Sequence, residues 1–300
     1  MSAITLLDGG MGQELLARAG DRPTPLWATQ VMLDRPELVQ AIHADYFAAG
    51  ATVATANTYA VHRDRLAGTP FADRFEALLA QALDAARAAR DAHGGGRIAA
   101  STGPLVQSYR PDKMPPHDRA VAIYAEVANL LAPRCDILLA ETVASVAHAR
   151  AFIEAAAPIA ARHGIPLWLA VTLSDTDGTV LRSGEPIAAL APVLGPVDSL
   201  LANCSAPEAM DTAMPHLAAL GRPFGALANG FEQITEDFLR EKPTADALTA
   251  RRDMGPERYA DHALGWVAAG ATLVGGCCET GPAHIAEIAR RLRAAGHTIV

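Results

Sequence analysis

The chain has 300 residues, of which 50% are hydrophobic and 19% charged, so it can bury a sizeable core and does not have the composition of a disordered segment. Its formal net charge of −8 is the wrong sign for a duplex nucleic-acid binder or a protein held on anionic lipid. No stretch reaches the roughly 18 uninterrupted apolar residues of a membrane helix, and the start lacks the basic region of a secretory leader, so a cytoplasmic protein is expected.

Short apolar, β-branched runs predict strands at Ile4–Asp8, Thr52–Ala56, Arg97–Thr102, Asp136–Glu141, Leu167–Thr172, Ser199–Asn203, Phe224–Asn229 and Thr272–Gly276. Each is a nearly continuous apolar run, as expected of parallel strands covered on both faces. The stretches between them carry apolar residues at helical spacing, among them Leu38, Ile42 and Ala49, then Phe75, Leu78, Leu79 and Leu83, and finally Ile285, Ile288 and Leu292. Gly50, Gly164, Gly221 and Gly270 stand just before strands, where a glycine stops the preceding helix. Eight strands alternating with helices, about 35 residues apart, predict an α/β fold, a (β/α)8 TIM barrel forming one domain over residues 1–300. The alternative is an open doubly wound sheet, but Asp8-Gly9-Gly10-Met11-Gly12 does not match the glycine fingerprint of dinucleotide-binding folds.

In a barrel of this kind, chemistry collects where strands end and loops begin. Those ends carry Asp8, then Asn57, Thr58 and Tyr59, then Ser101 and Thr102, Glu141 and Thr142, Thr172, Asn203 and Cys204, Asn229, and Cys277 and Cys278. Four cysteines in 300 residues make no disulfide framework, and in a chain that is not exported they are expected to stay reduced. Cys204, Cys277 and Cys278 fall at strand ends, while Cys135 precedes its strand and is expected toward the opposite face. Three thiolates on a barrel rim suit zinc, and three protein ligands leave a fourth position open for chemistry. Neighbouring residues on a strand face opposite ways, so Cys277 and Cys278 can share one ion only where the chain leaves strand geometry, which Gly275 and Gly276 would permit. Buried thiols packed in a core are the competing reading.

Taken together, Leu7-Asp8-Gly9-Gly10-Met11-Gly12, Pro25-Leu26-Trp27, Asn57-Thr58-Tyr59, Glu141-Thr142, Asn203-Cys204 and Gly275-Gly276-Cys277-Cys278-Glu279-Thr280-Gly281-Pro282 resemble the homocysteine S-methyltransferase family over nearly the whole chain. The resemblance implies a (β/α)8 barrel in which Cys204, Cys277 and Cys278 hold a catalytic Zn2+. It also implies that Asp8 and Glu141 bind the homocysteine ammonium, and that Trp27 and Tyr59 face the donor, since a cationic onium group is well met by aromatic rings. Gly9 and Gly10 would let the backbone come close to the substrate, and Asn57, Thr58, Thr142, Asn203 and Asn229 complete the candidate substrate-binding set. Homocysteine reacts as its thiolate, and a zinc ion with an open site would bind and deprotonate it.

The expected reaction is methyl transfer from a small onium donor to homocysteine, giving methionine. S-methylmethionine is favoured because the chain ends at Val300 without the long C-terminal extension of the betaine enzymes. Betaine, another sulfonium donor, and a related thiol or selenol acceptor stay open, as does a homo-oligomer. A reading from a different class is a metal-independent lyase or hydrolase using Asp8 and Glu141 as acid and base. Another is a non-catalytic thiol- or zinc-binding protein. Two long loops, 104–116 and 230–256, are expected on the zinc side as lids, the second with helical turns around Phe238 and Leu248. Trp168 and Trp266 are expected in the core, and His43, His148 and His284 as surface or packed residues.

Overall fold

The computed structural model describes residues 2–20, 28–235, 237–240 and 248–300. Nine parallel strands form one curled sheet: β1 (Ala3–Leu6), β2 (Val53–Ala56), β3 (Arg97–Thr102), β4 (Ile137–Val143), β5 (Leu167–Val171), β6 (Ser199–Asn203), β7 (Phe224–Ala228), β8 (Leu273–Gly276) and β9 (Thr298–Ile299). Their order is β2-β3-β4-β5-β6-β7-β8-β1-β9. β2, at one end of that order, also meets β1. Leu7 bridges Val53 in parallel, the Asp8 N–H donates to the Val53 carbonyl at 3.0 Å, and the Thr52 N–H donates to the Leu6 carbonyl at 2.7 Å. Each of β1 to β8 therefore has a neighbour on both sides. The first eight strands agree with the predicted ones to within two residues at either end. The two-residue β9 is unpredicted and pairs with the outer part of β1 through Ala3–Thr298 and Ile4–Ile299.

The helices are α1 (Met11–Ala19), α2 (Ala28–Asp34), α3 (Pro36–Ala49), α4 (Arg63–Leu66), α5 (Phe75–His93), α6 (His117–Leu131), α7 (Val146–His163), α8 (Pro207–Ala218), α9 (Pro256–Ala268) and α10 (Pro282–Ala294). The predicted alternation fails at one connection. Between β5 and β6 the chain makes a small antiparallel excursion, bridged Leu173–Leu181 and Val180–Pro186, and then a 3-10 segment at Ile187–Val193. Pro186, Pro192 and Pro196 interrupt this stretch, and proline cannot supply the N–H bonds of a continuous α-helix. No described helix is long and apolar enough to cross a membrane.

Two apolar layers follow from the period-two alternation of strand side chains. Leu7, just past β1, packs inside the curl with Val53, Ala99, Ile137, Leu139, Trp168, Ala170, Leu201, Leu227 and Leu273 from β2 to β8. The larger cluster lies between strands and helices and includes Ile98, Leu138, Leu200, Tyr46, Phe152 and Trp266. Trp168 and Trp266 are thus core residues, as expected.

Candidate active site

Continuing the inward alternation two residues at a time, Ala99 leads to Ser101, Leu139 to Glu141, Leu201 to Asn203, Leu227 to Asn229 and Leu273 through Gly275 to Cys277. The polar strand ends are therefore the top of the ladder that fills the inside of the curl. Glu141 and Thr142 sit at an irregularity in β4, where the register against β5 shifts between Ala140 and Val143. Thr142 there takes a φ of 58°, costly for a β-branched residue, and such bulges re-aim side chains at functional sites.

Asn203 holds this turn. It is fully buried, its Oδ1 accepts the Thr142 N–H at 2.8 Å, and its Nδ2 donates to Glu141 Oε1 at 3.3 Å. The Ser101 hydroxyl donates to Glu141 Oε2. Burial raises the Glu141 pKa above the usual carboxylate range, and these two donors partly offset it.

Asp8 is also buried, and the Thr55 N–H donates to its Oδ2 at 2.7 Å. Burial, with a smaller push from the Glu141 charge, raises its pKa to about 8. Behind it, fully buried on α3, His43 places Nδ1 3.9 Å from Asp8 Oδ2. Burial holds this imidazole neutral, at a pKa of about 3.

The three predicted cysteines meet: their sulfurs all lie within 4.8 Å of one another. Cys204 follows an inward residue, and its φ of 53° turns it back toward the others. Cys277 and Cys278 share a side because the chain leaves the strand at Cys277, in a turn closed by the Thr280 N–H and hydroxyl on the Cys277 carbonyl, at 3.2 and 2.6 Å. The positive φ of that turn falls on Glu279, at 63°, and not on the glycines before it. Gly275 and Gly276 serve close approach instead. A Cβ on Gly275 would lie 2.8 Å from the Leu7 Cβ, and one on Gly276 would collide with the Thr280 side chain. Gly9 and Gly10 are needed for the same reason from the other side. A Cβ on Gly9 would strike the Thr280 carbonyl, and one on Gly10 would sit 2.6 Å from the Cys277 carbonyl oxygen. The Asp8 loop and the cysteine turn are thus pressed together.

Cys204 and Cys277 face each other across the rim, with Cα atoms 5.8 Å apart. The ends of β6 and β8 bring these two sulfurs together. A metal ion binds thiolate sulfur, so metal binding requires these cysteines reduced. The reduced donor set fits zinc. Three sulfurs around one ion at about 2.3 Å each would be roughly 3.8 Å apart in a tetrahedron. Burial, with help from the Glu279 and Glu141 charges, pushes the Cys278 thiol up to about 12, so a cation is what would make it a thiolate near neutral pH. Cys135 precedes β4, at the opposite strand end from Glu141.

The remaining predicted residues are mostly engaged with protein. The Thr58 hydroxyl donates to the Ser101 carbonyl at 2.6 Å, the Asn57 amide to the Ala28 carbonyl at 3.4 Å, and Asn229 Oδ1 accepts the Phe231 N–H at 3.1 Å. The Tyr59 hydroxyl bonds Ser108 at 2.7 Å, and the Arg65 guanidinium carbon lies 5.5 Å from the centre of its ring. Trp27, with Pro25 and Leu26, lies outside the described residues.

The two long loops do meet over the cysteines. Tyr109 and Phe238 pack with Cys204, their rings edge to face at 5.9 Å. Gln107 Nε2 donates to the Leu239 and Arg240 carbonyls at 3.1 and 2.8 Å, and Arg110 donates to the Leu239 carbonyl at 2.7 Å. Phe238 lies in a 3-10 turn, Asp237–Leu239, as expected, whereas Leu248 lies in no helix. Ser101, His43, Tyr109 and Phe238 were not singled out as ligand-facing by the sequence. Ser101 carried a signal in its place at a strand end, and Tyr109 and Phe238 in their place on the two long loops, whereas His43 carried none.

A family model described as homocysteine S-methyltransferase matches residues 5–292. The chain is 31% identical over 314 residues to a homocysteine S-methyltransferase of Escherichia coli K12, covering 96% of this chain and 95% of that protein. It is 28% identical over 317 residues to homocysteine S-methyltransferase 4 of Zea mays, covering 97% and 90%. Among solved structures, the metallated form of the homocysteine methyltransferase MmuM from Escherichia coli superposes with a TM-score of 0.79 at 28% identity, covering 97% of this chain and 96% of that one.

Proposed function

The chain belongs to the homocysteine S-methyltransferase family and is a methyltransferase by that membership, and we propose that it is zinc-dependent, with S-methylmethionine as donor and methionine as product. The observation that carries this reading is the convergence of three cysteine sulfurs with the buried Asp8 and the partly buried Glu141 on one rim of the curled sheet, which we read as the C-terminal face of a (β/α)8 barrel. Cys204, Cys277 and Cys278 would hold the zinc. When bound, zinc supplies the positive charge that turns the acceptor thiol into a nucleophile near neutral pH.

The protein's own groups do the rest. Asp8 and Glu141 take the homocysteine ammonium, Asp8 steadied by the Thr55 N–H and Glu141 by Ser101 and Asn203. Thr142, Thr58, Asn57 and Asn229 set the backbone around them, and Gly9 and Gly10 let the Asp8 loop lie against the cysteine turn. Tyr59 faces the donor cation, a role the family resemblance also assigns to Trp27. Tyr109 and Phe238, held by the contacts between the two long loops, keep water from the sulfurs. As the acceptor sulfur attacks, a new S–CH3 bond forms and the donor's S–CH3 bond breaks. The bonding pair returns to the donor sulfur, which leaves as neutral methionine, and the thiol proton goes to solvent. In-line transfer of this kind rests on positioning more than on acid–base work.

The test is incubation of the reduced, zinc-loaded protein with homocysteine and donors labelled in the methyl group: S-methylmethionine, betaine and trimethylsulfonium. Label appearing in methionine, fastest from S-methylmethionine, is expected. Faster transfer from betaine would overturn the donor assignment, and no transfer from any of them would overturn the activity.

A further inference from the structure

Arg182 is a buried charge beside the site that methyl transfer, as derived above, leaves unused. It lies on the excursion between β5 and β6, where its N–H donates to the Thr172 carbonyl at 3.0 Å. The Thr172 hydroxyl in turn reaches the Cys204 carbonyl at 3.4 Å. The Arg182 side chain is only 15% exposed. Its Nη1 donates to Asp175 Oδ2 at 3.0 Å. That carboxylate is already shared, Oδ2 accepting the Ile234 N–H at 3.1 Å and Oδ1 the Ala206 N–H at 3.3 Å. The guanidinium carbon lies 5.3 Å from the centre of the Tyr109 ring, and Tyr109 packs on Cys204. The guanidinium is therefore one aromatic ring away from the sulfurs.

Its other two nitrogens, Nε and Nη2, are buried and have no hydrogen-bond partner among the described residues. These are the two donors along one edge of the planar group. Their N–H bonds run parallel and match the two oxygens of a carboxylate. Buried charged donors left unmade carry their whole desolvation cost, so such an edge is a place where a ligand belongs. An amino-acid substrate has a carboxylate as well as an ammonium, and Asp8 and Glu141 can serve only the ammonium. The Tyr109 ring lies against the guanidinium, with its backbone at a φ of 62° that a tyrosine rarely adopts.

We propose that Arg182 is the carboxylate anchor for an α-amino-acid substrate of this site, its Nε–Nη2 edge taking the carboxylate as the Tyr109 ring shifts aside. Asp175 fixes the guanidinium from the far nitrogen. The proposal rests on the methyl-transfer reading. The carboxylate is that of either the acceptor or the donor, and the experiment separates the two.

The test compares wild type, Arg182→Met and Arg182→Lys on two substrate pairs that differ in a carboxylate. The acceptor pair is homocysteine and 3-aminopropanethiol, and the donor pair is S-methylmethionine and (3-aminopropyl)dimethylsulfonium. Arg182→Met should lose about ten- to a hundredfold in kcat/KM for the carboxylate-bearing member of one pair, and less than twofold for its partner. Arg182→Lys, which keeps the charge and loses the fork, should fall between. The pair that shows the difference identifies the source. Calorimetric binding of homocysteine, 3-aminopropanethiol and S-methylmethionine reads the same contact without turnover, so a failure of methyl transfer itself stays distinguishable from a failure of this proposal. Equal losses for both members of both pairs, with a lowered Tm, would show Arg182 to be a prop for Tyr109 and overturn the assignment. So would unchanged kinetics for all four compounds together with unchanged binding of the three titrated.

Discussion

Replacing Glu141 by glutamine isolates its charge from its shape. The carboxylate accepts from the Ser101 hydroxyl on one oxygen and from Asn203 Nδ2, at 3.3 Å, on the other. A glutamine can keep both links, because its carbonyl still accepts from Asn203 and the Ser101 hydroxyl can turn to accept from the new amide. The fold should therefore be unharmed. Burial already disfavours the ionised form of Glu141, so the neutral side chain is no more costly to bury. What is lost is the charged partner of the homocysteine ammonium. A hydrogen bond to a charged group contributes about 1.5–3 kcal/mol, which is about ten- to somewhat over a hundredfold in affinity. Titration calorimetry of homocysteine into the reduced, zinc-loaded variant should show that loss, with Tm and zinc content near those of wild type. Homocysteine affinity within twofold of wild type, in a folded and metal-loaded Glu141→Gln protein, would refute the assignment. Loss of the metal instead would make Glu141 a support of the cysteine site.

Three further outcomes are expected. Reduced protein should carry about one zinc per chain by elemental analysis, and Cys204→Ser, Cys277→Ser or Cys278→Ser should each lower occupancy sharply while Cys135→Ser leaves it unchanged; full zinc in a Cys277→Ala, Cys278→Ala double variant would contradict the site. Asn203→Ala strips the buried Thr142 N–H of its acceptor and should cost about 1–3 kcal/mol in urea unfolding, so a loss below about 0.5 kcal/mol would mean that Asn203 does not hold the β4 turn. Asp8, raised from 3.8 to about 8, keeps a proton in the folded chain that the unfolded chain releases; unfolding then sheds a proton between about pH 4 and 8, so this group makes ligand-free stability fall as pH rises through that window. Asp8→Asn should flatten that part of the profile, and an unchanged slope would show that Asp8 is ionised at neutral pH in the folded chain.

The strands were legible because each is an apolar run long enough to cross a buried sheet, and the polar residue closing each run marked the reactive rim. Period-two alternation carries Glu141, Asn203 and Cys277 inward from Leu139, Leu201 and Gly275, so their convergence is a property of local sequence plus curl. Local sequence could not say how Cys204, next to an inward residue, also turns in. That depends on a left-handed φ at a residue that is not glycine. Nor could it show that Gly275 and Gly276 serve contacts with Leu7 and Thr280, since those partners lie on other segments. His43 behind Asp8, Ser101 on Glu141, and Tyr109 with Phe238 over Cys204 are likewise contacts between elements far apart in the chain. The helix expected between β5 and β6 is absent where three prolines break the stretch, a signal present in the sequence but outweighed by the regular alternation elsewhere. That same irregular connection carries Arg182.

Three cysteine thiolates holding a zinc ion whose remaining position takes the acceptor sulfur is an arrangement open to direct measurement. X-ray absorption at the zinc edge, on the reduced protein with and without homocysteine, measures it directly. Three sulfur neighbours at about 2.3 Å and one lighter oxygen or nitrogen neighbour are expected without homocysteine, and four sulfurs once it is bound. Fewer than three sulfurs in the free protein, or coordination unchanged by saturating homocysteine, would contradict it.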